Sequence, residues 1–171
     1  GVVGILDTGK PGPVVAFRFD IDAVDVSEAR DEKHRPFRDG FVSMNQGAMH
    51  ACGHDAHATI GLGLAEILSE HTEELTGVLK LVFQPAEETS GGALPMLSDG
   101  LLEGTDVRAA FALHCDPSLP AGKVGVHGGA FRAASDMFDC VVRGRGTHGA
   151  EPHRGDDVIA IACRTVDALH Q

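Results

Sequence analysis

Three short apolar runs constrain this chain most, because each ends in residues that can do chemistry. Pro13 to Phe19 (PVVAFRF) leads into Asp20-Ile21-Asp22. Gly77 to Gln84 (GVLKLVFQ) leads into Pro85-Ala86-Glu87-Glu88, and Ala109 to His114 (AAFALH) ends on His114 itself. The runs are short, mostly rich in β-branched or aromatic residues, and bounded by turn formers, so they read as buried strands. Open α/β sheets bind ligands at the carboxyl ends of their strands, which is where these acids and this histidine fall. Each strand end also has a plainer reading. Asp20 and Asp22, which share a face with Arg18 on an extended chain, suit a solvated loop equally well. A bare Glu-Glu is more often a solvated turn, and a lone His more often structural. Glu87-Glu88 nevertheless follows a buried strand and precedes Gly91-Gly92 at the opening of a helix. There one carboxylate can hold a metal while the other takes a proton from water.

Between the first and second runs lies Met49-His50-Ala51-Cys52-Gly53-His54-Asp55-Ala56-His57. Thiolate and imidazole are the ligands that borderline-soft divalent metals take. Cys52 and His54, two residues apart across a glycine, can turn toward one ion. Behind them Ile60, Leu64, Ile67 and Leu68 recur at helical spacing, so the motif sits at a helix N-terminus. Gly61 and Gly63 weaken that helix but permit close packing on a neighbour. The plain alternative is a buried small Cys and a surface His. A cysteine-nucleophile hydrolase using Cys52 and His54 is a further alternative, disfavoured because residues two apart on a turn rarely meet as nucleophile and base.

The remaining chain bounds the function. A formal charge of −11 and the absence of Trp and Tyr argue against nucleic acid as a partner. No apolar run is long enough to span a bilayer. Cys52, Cys115, Cys140 and Cys163 are widely spaced, which fits a reducing, cytoplasmic compartment better than a disulfide framework. Ser27 to Gln46 reads as a long surface loop. Lys123 to His127 and Met137 to Arg143 read as more exposed strands, followed by a Gly-bracketed His148 and by a helix from Asp157 to Leu169 capped by Asp156. Pro117, Pro120 and Gly122 interrupt the pattern, giving an expected catalytic domain over 1–119 and a second domain over 120–171.

With FRFDIDAVDVSE, HRPFRDGF, MHACGHDAHATIGLG, LVFQPAEE, ALHC and THGAEPHRGDD in one order, the chain resembles the M20 metallopeptidase/amidohydrolase family. The likeness is to the branch that groups hippurate hydrolases, indole-acetyl-amino-acid hydrolases and p-aminobenzoyl-glutamate hydrolases. The segment from Phe17 to Gly63 is closest to the last. The resemblance implies a zinc-exopeptidase-like α/β sheet with flanking helices, then the start of an α+β ferredoxin-like lid and dimerisation domain. It implies Cys52, His54, Glu88 and His114 as ligands to two divalent ions (Zn, Mn, Ni or Co), with Cys52 able to bridge them. It implies Glu87 as general base and acid, and Asp22 as an acid that orients ligands. His148 is implied as an oxyanion donor reaching the site of a partner subunit.

The implied reaction is hydrolysis of the amide bond of a small N-acyl or N-aroyl amino acid, in a homodimer or beside a related subunit. The family's fifth ligand, a histidine from the returning part of the catalytic domain, has no match before Gln171, where His170 stands in a different context. The chain is therefore expected to be a fragment, and a non-catalytic metal-binding or assembly module is the alternative. Asp157-Val158 replaces the family's usual Asp-Pro.

Overall fold

The structure, a computed structural model, describes residues 1–89, 91–133 and 136–170, which fall into two compact units, Gly1–Lys123 and Val124–Gln171.

The first unit is built on a four-stranded mixed sheet with flanking helices. Its strands are β1 (Val2–Asp7), β2 (Val14–Asp20), β3 (Val78–Gln84) and β4 (Val107–Ala112), in the order β1-β3-β2-β4. β2 runs parallel to both neighbours, pairing Val14 with Val78 on one side and with Val107 on the other. The three expected strands are thus β2, β3 and β4, and their carboxyl ends share one edge of the sheet. β1 is an addition to them. It lies antiparallel to β3, with Val2 opposite Phe83, and as an edge strand leaves Val2 and Ile5 exposed. Its VVGILD is interrupted by Gly4, which blunts a strand signal read from apolar runs.

Helix α1 (Arg35–Arg38) is a single turn within the long loop, and α3 (Ala93–Ser98) follows the Glu87-Glu88 turn. Helix α2 (His54–Glu70) packs on β2 and β3, and of the expected stripe only Leu64 and Leu68 are half-buried. Ile60 and Ile67 are 46% and 58% exposed, whereas His54, His57 and Gly61 are buried. The sheet presents Asp20 and the tilted pair Phe19–Phe83 (5.5 Å between centroids) to the helix. The fully buried positions are consequently two histidines and a glycine, which an apolar periodicity does not register. A Cβ on Gly61 would lie 2.8 Å from both Phe19 Cδ2 and Phe83 Cε1. Glycine is what lets this helix approach the sheet.

In the second unit, α4 (Val158–Leu169) follows a 3-10 turn at Pro152–Arg154. The helix is capped by Asp157, whose side chain accepts the Ala160 N–H, and not by Asp156. Asp156 instead accepts the Arg145 N–H at 2.7 Å. The strands expected over Lys123 to His127 and Met137 to Arg143 are not strands among the described residues. Phe138, Cys140 and Val142 do alternate onto one side of a groove of about 460 Å³ that Ala162, Val166 and Leu169 complete. The period-2 pattern is present, but a strand also needs a hydrogen-bonded neighbour, and none of the described residues supplies it. The start of a ferredoxin-like lid is therefore not seen as such.

Candidate metal centre

The site grows from the edge where β2, β3 and β4 end. After β2 the chain turns so that Asp22 lies under the first turn of α2. Its Oδ1 is 3.0 Å from His54 Nδ1, and its Oδ2 accepts the Glu88 N–H at 2.9 Å. Burial pushes the Asp22 carboxyl up, but the N–H groups of Glu88 and Glu87, its own N–H and the His54 ring outweigh it and hold the group below its ordinary value.

Gly53 precedes α2 at φ 85°, a left-handed conformation that tolerates no side chain easily, and a Cβ there would meet Cys115 Cβ at 3.4 Å. That turn brings Cys52 and His54 to the same edge. Cys52 Sγ is 3.4 Å from His114 Nε2, and His114 Nδ1 is held by the Cys115 carbonyl at 2.6 Å. After β3, Ala86 takes a positive φ of 54°, rare for a residue with a Cβ, and its carbonyl accepts the Gly91 and Gly92 N–H groups. The tight turn swings Glu87 and Glu88 back over α2. Glu88 Oε1 is 3.7 Å and Glu87 Oε2 4.0 Å from His54 Nε2.

His54 is fully buried, and its Nε2 has no hydrogen-bond partner among the described residues. A buried nitrogen without a partner is costly, yet around it stand donors of the kinds a divalent metal takes. Cys52, His54 and His114 form one set of mutually close donor atoms, and His54, Glu87 and Glu88 a second. With Nδ1 fixed by Asp22, Nε2 is the atom left to bind an ion, the arrangement of carboxylate behind a metal-binding imidazole. The residues therefore fit a metal.

The Cys52 thiol is pushed up to about 11, first by burial and then by Glu88, Glu87 and Asp20. A thiol held protonated in this way is a poor nucleophile at neutral pH, which weighs against the cysteine-nucleophile alternative. Held as a ligand to a divalent cation, the same thiol would be deprotonated.

The sequence-derived residues Asp22, Cys52, His54, Glu87, Glu88 and His114 thus stand together at one edge of the sheet. His148 belongs to the second unit and is exposed there, its Nδ1 accepting the Ala150 N–H at 3.1 Å. Sequence reasoning passes over His57. It is fully buried, 2.5 Å from Asp20 through Nδ1. The signal available for it is a position one turn after His54, on the same helix face.

Residues 16–170 match the peptidase family M20/M25/M40. The chain is 48% identical over 171 residues to a subunit of p-aminobenzoyl-glutamate hydrolase from Escherichia coli (strain K12), covering 99% of this chain and 38% of that protein. It is 46% identical to indole-3-acetyl-aspartic acid hydrolase of Enterobacter agglomerans, again covering 99% of this chain and 38% of the relative. The chain therefore spans less than half the length of these curated relatives. Among solved structures, the Bacillus subtilis YXEP protein, described as a dinuclear metal binding peptidase from the M20 family, superposes with a TM-score of 0.60. It is 38% identical, and the match covers 69% of this chain and 30% of that one.

Proposed function

Because the chain belongs to peptidase family M20/M25/M40, we propose that it carries the larger part of the metal centre of an amidohydrolase. The reaction is cleavage of the amide bond in N-acyl or N-aroyl amino acids of the p-aminobenzoyl-glutamate or hippurate type. The observation that carries the reading is the buried, unpartnered Nε2 of His54 with Cys52, His114 and Glu88 around it. The names of the two relatives, a p-aminobenzoyl-glutamate hydrolase and an indole-3-acetyl-aspartic acid hydrolase, support the substrate class.

In this reading Cys52, His54, Glu88 and His114 would hold two divalent ions, of zinc, manganese, nickel or cobalt. A relative described as a dinuclear metal binding peptidase supports two ions. A divalent ion supplies Lewis acidity toward water and toward an amide carbonyl. The chain's own residues do the rest. Asp22 holds the His54 ring and the Glu88 backbone N–H on one carboxylate. Glu87, whose side chain is 39% exposed, takes a proton from water and returns it to the leaving amine. His148 Nδ1 accepts a backbone N–H, so the ring proton sits on Nε2, ready to be donated. We assign it to the developing oxyanion in the site of a second copy or of a related subunit. That one relative is named as a subunit of its hydrolase supports such pairing. The second unit is then the start of the lid and dimerisation domain. Four free cysteines suit a reducing, cytoplasmic compartment.

Metal content of two variants of the full-length protein tests the division of roles. Cys52→Ala should come out depleted of metal. Glu87→Ala should retain its metal and lose about 10²–10⁴-fold in turnover of p-aminobenzoyl-glutamate. A metal-free Glu87→Ala protein, or a fully loaded and active Cys52→Ala protein, overturns the assignment.

A further inference from the structure

We infer that His57 is a positioning residue for the metal centre, acting through the backbone of Cys115 on His114. The inference rests on the proposed role of His114 as a ligand. His57 and Asp20 are both buried, and their contact joins α2 to the end of β2. On its other side, His57 Nε2 accepts the Cys115 N–H at 2.8 Å. An imidazole nitrogen that accepts an N–H carries no proton, so the ring proton is on Nδ1 and is donated to Asp20 Oδ1 at 2.5 Å. Asp20 Oδ2 is in turn paired with Arg18 at 2.8 Å.

The chain of contacts continues into the site. The Cys115 N–H is held by His57, and the Cys115 carbonyl holds His114 Nδ1 at 2.6 Å, leaving His114 Nε2 directed at Cys52 Sγ, 3.4 Å away. The rings of His57 and His114 also meet edge to face at 4.7 Å. His114 lies two residues beyond β4, so no strand ladder fixes it. Asp20, His54 and His57 offer donor atoms close enough to be taken for a third metal set. His57 cannot serve there, since both its nitrogens are already engaged. Its work is to hold one ligand at the edge of the sheet, as a buried partner one step removed from the ion does in other metal sites.

The experiment is a titration of the metal-stripped full-length protein with Co²⁺, read as the thiolate-to-cobalt charge-transfer band and as a dissociation constant. His57→Phe keeps the ring volume and removes both hydrogen bonds, and should weaken Co²⁺ binding about 10–100-fold. His57→Gln, whose amide oxygen reaches toward the place of Nε2, should recover part of the loss. In a His114→Ala background His57→Phe should add little, because the ligand it positions is gone. Unchanged affinity in His57→Phe, or a full additive loss in the double variant, overturns the inference. Should His57→Phe fail to fold, the wild type decides. Imidazole ¹⁵N shifts placing the His57 proton on Nδ1, with a slowly exchanging Cys115 amide, support it, and a proton on Nε2 overturns it. Wild-type protein that binds Co²⁺ no better than Cys52→Ala overturns the metal centre itself, a result separate from wild-type binding that His57→Phe leaves untouched.

Discussion

Asp22 Oδ1 lies 3.0 Å from His54 Nδ1, while the second oxygen of the same carboxylate accepts the Glu88 N–H at 2.9 Å. One side chain therefore sets two proposed ligands that come from different elements, α2 and the turn after β3. The strand ladder brings those elements to one edge but leaves their side chains free to rotate. Asp22 removes that freedom for the His54 ring, selects the tautomer whose Nε2 is free to bind an ion, and ties the Glu88 backbone to the same carboxylate. Asp22→Ala should accordingly weaken metal binding about 10–100-fold. Asp22→Asn, which keeps one acceptor oxygen, should lose less. Competition for the ion against a chelator measures both. Equal affinity in Asp22→Ala and wild type would show that His54 and Glu88 hold themselves in place.

Gly61 and Gly63 stand two residues apart on α2 and should respond in opposite directions to the same change. At Gly61 an added Cβ meets two buried rings at 2.8 Å, whereas at Gly63 nothing lies within 4 Å. Overpacking costs about 1–3 kcal/mol, more than the ~1 kcal/mol that Gly to Ala gains in an open helical position. Gly61→Ala should lower the melting temperature and Gly63→Ala raise it. Two shifts of the same sign would mean that α2 can slide away from Phe19 and Phe83.

Much of this is legible in the sequence, for identifiable reasons. β2, β3 and β4 announce themselves as apolar runs with polar ends, and the chemistry of Cys52, His54, Glu87, Glu88 and His114 is read from residue type and position at those ends. What the sequence hides depends on partners distant along the chain. β1 is a strand because β3 is beside it, with Val3 opposite Val82. Phe138, Cys140 and Val142 carry strand spacing without a neighbour, and so make no strand. His57 is buried because Asp20, 37 positions earlier, accepts its proton. On α2 the buried face begins with His54, His57 and Gly61 and takes in Leu64 and Leu68, while Ile60 and Ile67 are exposed, a rotation that hydropathy alone cannot anticipate. Asp156 and Asp157 compete for one cap, and the contact of Asp156 with Arg145, eleven residues before it, decides between them.

The long loop has its own pH dependence. His34 Nε2 meets Glu28 Oε1 at 2.8 Å, and Glu28 Oε2 accepts the Ser43 N–H at 2.5 Å, closing the loop on itself. The His34 hydrogen bond, followed by that of Ser43, holds the Glu28 carboxyl below its ordinary value. A carboxyl lowered in the folded state stabilises the fold above its unfolded value and loses that contribution as pH falls through the folded one. Acidification below the usual glutamate range should therefore open residues 27–46 first. Hydrogen exchange across that segment should rise below about pH 4.5. In Glu28→Gln the step should vanish and exchange should be fast throughout. A loop whose protection is flat with pH in the wild type would show that the Glu28 clasp does not govern it.

His148 supplies the sharpest test of subunit organisation. Its Nδ1 is occupied by the Ala150 N–H, so the ring offers a proton from Nε2, and the residue lies in the unit that begins at Val124. Glu87 lies in the other unit, with Cys52, His54 and His114. A donor aimed at a developing oxyanion is worth about 10²–10³ in kcat, so His148→Ala should lose that much in the full-length protein while keeping its metal. If the donor acts between copies, His148→Ala and Glu87→Ala chains complement each other. A mixed pair contains one site with Glu87 from one chain and His148 from the other, and activity returns to a fraction set by the mixing ratio. Subunit exchange is verified independently with two differently tagged proteins. A mixture that stays inactive after exchange is demonstrated places His148 in its own chain's site or outside catalysis, since a symmetric pair cannot otherwise hide an intact site.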